Sequence, residues 1–162
     1  MSFAARLRPG LIRVAPPWRT FEETIAGLVA LLAGEGLLPA ASEAAAIQAV
    51  TAREATSSTA LLDIHAGVPH ARLPGIAEPV TALAISPHGF YEAVPTVPIH
   101  PVALVLSPPA ATAQHLTILA GIATLLRSAD LRAGLLAARD GDEALHVLRR
   151  HARGPRGSGR TP

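Results

Sequence analysis

Apolar residues recur at helical spacing through Phe21, Ile25, Leu28, Val29 and Leu32, and the run stops at Gly34 and Gly36. Thr20, with Glu23 three residues later, forms a capping pair ahead of that stripe, so a helix is predicted there. A second stripe, Ala46, Ile47 and Val50, follows Ser42 as its expected cap and closes at Arg53-Glu54. The pattern then changes. Leu11 to Val14, Val80 to Ile85 and Val102 to Leu106 are short apolar runs of strand length, the first expected at an edge and the last covered on both faces. Leu73-Pro74-Gly75 and Pro87-His88-Gly89 read as turns. Pro108-Pro109 is expected to open a helix through about Leu126 on a stripe of Leu116, Leu119, Ala120, Ala123 and Leu126. A shorter helix follows over Asp130 to Ala138, and Asp140 with Glu143 caps a last one carrying Leu145 and Leu148.

Strands interleaved with amphipathic helices imply an α/β protein, expected as a single three-layer α/β/α domain with a central mixed sheet and flanking helices over residues 1–150. Residues 151–162 are rich in Arg, Gly and Pro and are expected to form a disordered tail.

At 162 residues and 49% hydrophobic content, the chain has material for one core. The 14 basic residues are all Arg, five of them between Arg149 and Arg160, and the net charge is only +2, so no nucleic-acid face is inferred. The absence of Cys excludes disulfides, thiolate metal sites and a cysteine nucleophile, and fits a reducing cytoplasm. Ala93 to Leu126 carries no charged residue, but its prolines and histidines cut it below the ~20 apolar residues of a membrane span. No membrane insertion is expected.

The candidate chemistry lies in Ser57 to Arg72, around Pro69-His70. A histidine directly after a proline, with Gly67 before it and Arg72 after it, is presented by stiffened backbone, and an imidazole serves near neutral pH as nucleophile, proton carrier or metal ligand. His88 and His100 sit beside prolines in turns and read as solvated, while His146 and His151 belong to the C-terminal helix and tail. Asp63 and His65, with His70 and His115, include metal-ligand types, but no HxxxH or HExxH spacing supports a site. Neither Walker-type nor Rossmann-type glycine motifs occur, and no cofactor or metal is expected.

The order of these motifs resembles the enzyme IIA domains of the fructose/mannitol class of the bacterial phosphoenolpyruvate-dependent sugar phosphotransferase system, with their nitrogen-regulatory relatives. It is carried by Arg53-Glu54 closing a helix, Ser58-Thr59, the GVPHAR sequence, the apolar VALVLSPP run and His115-Leu116, and spans Leu11 to Leu148. The chain departs from the pattern before Pro69-His70, where Ala60, Leu62, Asp63 and His65 stand in a region that is glycine-rich in related sequences.

The resemblance implies a phosphocarrier in which His70 accepts a phosphoryl group from the carrier protein HPr and passes it to an enzyme IIB cysteine. It implies His115 as the second active-site histidine and Arg53 as a phosphoryl-neutralising cation, with Ser58 or Thr59 as hydroxyl donors; backbone N–H groups near His70, freed by Gly67 and the turn, are expected to support the phosphoryl group. The alternative is a regulatory binding module of the nitrogen branch with weak or no transfer. Partners would be HPr and IIB, and the apolar composition would allow a homodimer.

Overall fold

The computed structural model describes residues 1–153. A mixed sheet of six strands is built on β5 (Val80–Ile85) and β8 (Pro101–Ser107), paired antiparallel from Val80 opposite Leu106 to Ile85 opposite Pro101. Every residue of both strands is buried. That explains why they read as continuous apolar runs, with no polar face to alternate against. β1 (Ile12–Val14) lies parallel to β5 at one edge. Along the other side of β8 run β3 (Ala66–Gly67) and β4 (His70–Arg72), both parallel to it, and β2 (Ala60–Leu61) pairs antiparallel with β3. A separate two-stranded ribbon joins β6 (Glu92–Val94) and β7 (Val97–Pro98).

Helices cover both faces. α2 (Phe21–Gly34) and α3 (Glu43–Thr56) pack on each other and against β5 and β4. α4 (Thr112–Leu126), α5 (Ala129–Ala137) and α6 (Gly141–Ala152), with the one-turn α1 (Phe3–Arg6), form the second layer over β8, β1 and β5. The three-layer α/β/α expectation holds.

Thr20 Oγ1 accepts the Glu23 N–H at 3.1 Å and Asp140 accepts the Glu143 N–H at 2.9 Å, each worth about 1 kcal/mol. In both helices the reciprocal carboxylate bond goes to the residue before the cap, Arg19 N–H and Arg139 N–H respectively. Ser42 does not cap α3. It ends a 3₁₀ turn over Ala40–Ser42, with helical backbone and no side-chain bond to the helix.

Helix α4 starts at Thr112 rather than at Pro108, because a residue before proline is pushed out of the helical region; Pro108 instead closes a turn by accepting the Ala111 N–H. Its inward stripe is His115, Ile118, Ile122 and Leu126. Leu116 is 58% exposed and Ala120 is exposed too, so the expected apolar face was rotated away from the real one. The displacement arose because a buried polar residue, His115, belongs to the inward face. At the C-terminus α6 continues through Ala152, so His151 is helical, and residues 154–162 of the expected tail lie outside the described residues.

Candidate functional site

Three segments meet at one cleft of about 340 Å³: the last turns of α3 give Ala49 and Arg53, β4 gives His70, Ala71 and Arg72, and the first turns of α4 give His115, Leu116 and Leu119. Backbone geometry explains the presentation of His70. Gly67 pairs with Val102 and His70 with Val105, so β3 and β4 follow β8 in one register with a break at Val68-Pro69. Proline has no N–H to give a ladder, although its carbonyl still accepts the Val105 N–H at 3.1 Å. In the break, the Val68 carbonyl lies 2.8 Å from His70 Nδ1. A carbonyl can only accept, so Nδ1 carries the proton and Nε2 keeps its lone pair.

Partial burial lowers the His70 pKa from 6.5; the Val68 contact works against that, Arg53 adds to the lowering, Glu54 opposes it and Arg72 adds again. The ring is therefore neutral at pH 7, with a nucleophilic nitrogen available. His115, only 4% exposed, lies beside it with ring centroids 5.3 Å apart at 63°. Its Nδ1 is 2.7 Å from the Ser107 hydroxyl. Burial first, then the charge of Arg72 and the proximity of His70, bring its pKa down to about 4.

Arg53 is held at the helix end by a 3.0 Å bond from its guanidinium to the Ser57 carbonyl, and Arg72 reaches the Pro108 carbonyl at 3.4 Å. Two guanidiniums and two neutral imidazoles around one opening suit a tetrahedral dianion, since each guanidinium offers a planar fork to paired oxygens.

His70, His115 and Arg53 are thus brought together. Ser58 and Thr59 are placed differently: both hydroxyls donate to the Glu54 carboxylate, as does the Thr59 N–H at 3.0 Å. Gly67 has a packing reason to be glycine, since a Cβ would stand 2.5 Å from the Tyr91 hydroxyl and 3.2 Å from Ile99 Cγ2. The non-glycine approach to it forms a 3₁₀ turn over Leu62–Ile64 and then His65 at φ +53°, a left-handed residue where glycine is ordinarily favoured. Its Nδ1 is bonded to the Pro98 carbonyl and its ring neighbours His100, while Asp63 pairs with Arg127. His100 is only partly exposed, with Nδ1 tied to the Ser86 carbonyl at 2.9 Å; His88 is exposed as expected.

Sequence reasoning passed over Arg72, Glu54 and Ser107 as site residues. Arg72 had a usable signal, because two residues along a strand return to the same face. Glu54 is joined by the turn that follows α3, and Ser107 only by the packing of α4 on β8.

Residues 6–151 match the model of the family described as "Phosphoenolpyruvate-dependent sugar phosphotransferase system, EIIA 2". The chain belongs to this family. EIIA domains are phosphotransferase components of that system. The fructose-specific EIIABC component of Bacillus subtilis (strain 168) is 30% identical over 105 residues, which are 64% of this chain and 16% of that protein, so the chain matches only a small part of that relative's length. Among solved structures, the nitrogen regulatory protein IIA-Ntr of Neisseria meningitidis superposes with a TM-score of 0.76 at 24% identity, covering 90% of this chain and 97% of that one. Mannitol IIA of Escherichia coli gives 0.70 at 20% identity, covering 88% and 98%. A complex of the Escherichia coli mannitol IIA and phosphorylated IIB enzymes gives 0.70 at 19% identity, covering 92% and 99%. These likenesses show that the EIIA fold is shared. Among the described residues, no helix of this EIIA domain is long and apolar enough to cross a membrane.

Proposed function

We propose that this EIIA domain is a histidine phosphocarrier in which His70 Nε2 takes a phosphoryl group from phosphohistidine on HPr and hands it to a IIB component. The observation that carries this reading is the Val68 carbonyl 2.8 Å from His70 Nδ1, which leaves Nε2 as the nucleophile beside Arg53, Arg72 and His115. The Nε2 lone pair forms the new N–P bond as the donor's N–P bond breaks, and that electron pair returns to the donor imidazole. His70 becomes a cationic phosphoimidazole whose Nδ1–H remains on the Val68 carbonyl, and the donor ring leaves neutral, so no proton has to be transferred. The transition state is loose, with charge on the equatorial oxygens, which makes alignment and positive charge the main contributions of the protein. No nucleotide or metal is required by this step.

The test is incubation with phosphoenolpyruvate, enzyme I and HPr, followed by intact-mass measurement. One acid-labile phosphate is expected on the wild type and none on His70→Ala. A phosphate retained by His70→Ala, or never acquired by the wild type, removes the reading and leaves the regulatory module in its place.

A further inference from the structure

His70 and His115 face one cleft, and each has its Nδ1 occupied, but by partners of opposite character. The Val68 carbonyl is an obligate acceptor. Ser107 Oγ can donate or accept, so the His115 tautomer depends on where the hydroxyl proton goes.

Ser107 is completely buried, at the end of β8. Its hydroxyl has a single hydrogen-bond partner among the described residues, His115 Nδ1 at 2.7 Å. If His115 carried its proton on Nδ1, that proton would point at Oγ and the buried O–H would have no acceptor. Leaving such a donor unpaired costs about 1–3 kcal/mol, far more than the small intrinsic difference between imidazole tautomers. With the O–H donating, Nδ1 is the acceptor and the ring proton sits on Nε2. Burial keeps His115 neutral at physiological pH, so the choice is between two neutral tautomers and cannot be evaded by double protonation.

We propose that Ser107 is a positioning residue: its hydroxyl holds the His115 proton on Nε2, so that the second imidazole meets a phosphoryl oxygen on His70 as a hydrogen-bond donor. The two rings are then complementary. His70 presents a lone pair at Nε2 for phosphorus, and His115 presents an N–H at Nε2 for oxygen. The opposite His115 tautomer would aim a lone pair at the anion and repel it. The role in transfer rests on the phosphocarrier reading, whereas the tautomer is a property of the unphosphorylated protein.

Imidazole ¹⁵N spectra of the unphosphorylated wild type near pH 7.5 test the tautomer directly. The expected result is an unprotonated Nδ1 and protonated Nε2 for His115, with the reverse for His70. Ser107→Ala should lose the single His115 tautomer, and Ser107→Thr, which keeps the hydroxyl, should retain it. In parallel, phosphoryl uptake from phosphorylated HPr should slow about tenfold in Ser107→Ala, as expected for one lost neutral donor, and recover in Ser107→Thr. A proton on His115 Nδ1 in the wild type, or an unchanged tautomer in Ser107→Ala, overturns the proposal. So does an unchanged uptake rate when the tautomer has changed. A wild type that takes up no phosphate overturns the transfer role together with the phosphocarrier reading, while the spectra still decide the tautomer.

Discussion

Arg72 stands two residues from His70 on β4, the spacing that returns a side chain to the same face of a strand, and both residues line one cleft. Strand alternation therefore sets a guanidinium beside the proposed phosphoryl acceptor from the same three-residue strand, while Arg53 approaches from α3. Charged hydrogen bonds contribute roughly 1.5–3 kcal/mol each, so Arg72→Gln and Arg53→Gln should each slow phosphoryl uptake about tenfold to a hundredfold. Lys at either position should recover only part of the loss, because an ammonium cannot bind two oxygens as a planar fork. Rapid-quench labelling from phosphorylated HPr measures both, and wild-type rates in Arg72→Gln would show that this residue does not touch the transferred group.

The depressed histidines should make the fold acid-sensitive. For His115 the folded value is about 4 against 6.5 in the unfolded chain, so between those values the unfolded state binds more protons and stability rises with pH. Its contribution is complete above about pH 6.5 and is lost as pH falls toward 4. At 4% exposure the full effect is on the order of 3 kcal/mol, and His70 acts with the same sign. Urea denaturation at pH 5 and pH 7.5 should show a larger drop for the wild type than for His115→Asn. Equal drops would mean that His115 does not titrate as its burial requires.

Gly67→Ala should destabilise the domain by about 1–3 kcal/mol, since the new methyl would stand 2.5 Å from the Tyr91 hydroxyl oxygen. Tyr91→Phe removes that atom, while the ring carbon behind it is already at 3.6 Å. The double variant should therefore regain much of the lost melting temperature, with Ile99 Cγ2 at 3.2 Å limiting the recovery. Additive losses in the double-mutant cycle would show that Tyr91 is not the obstacle.

Glu54→Gln should loosen the segment entering β2, because one carboxylate holds both the Ser58 and Thr59 hydroxyls and the Thr59 N–H. A loss of about 1–2 kcal/mol is expected, with faster amide exchange at Thr59. The His70 pKa should fall further at the same time, since the Glu54 charge supports its protonated form. Titration of His70 by NMR checks the direction.

The legibility of this fold varied with how local its signals are. The helix from Phe21, the cap pair at Asp140 and the buried strands at Val80 and Val102 follow from spacing alone. Ser42 failed as a cap because the 3₁₀ turn before it keeps its backbone helical, which residue type does not reveal. The stripe on α4 was misplaced by counting Leu116 and omitting His115, the one polar residue that packing turns inward. At the site, His70 was singled out by its place directly after Pro69, His115 and Arg53 by resemblance in motif order, and Arg72 could have been added by strand parity. The roles of Glu54 and Ser107 were missed for a different reason. Their partners are set by loop closure and by the meeting of β8 with α4.

The central position of β8 has a consequence for motion. β5, β3 and β4 all pair with this strand, and its final residue, Ser107, touches His115. His115 is therefore anchored to the most extensively paired strand of the sheet, whereas His70 rides on β4, which pairs with β8 alone. Under the proposed phosphocarrier function, the exposed Leu116 at the rim is then free to adapt to a partner while the strand beneath the two rings stays paired.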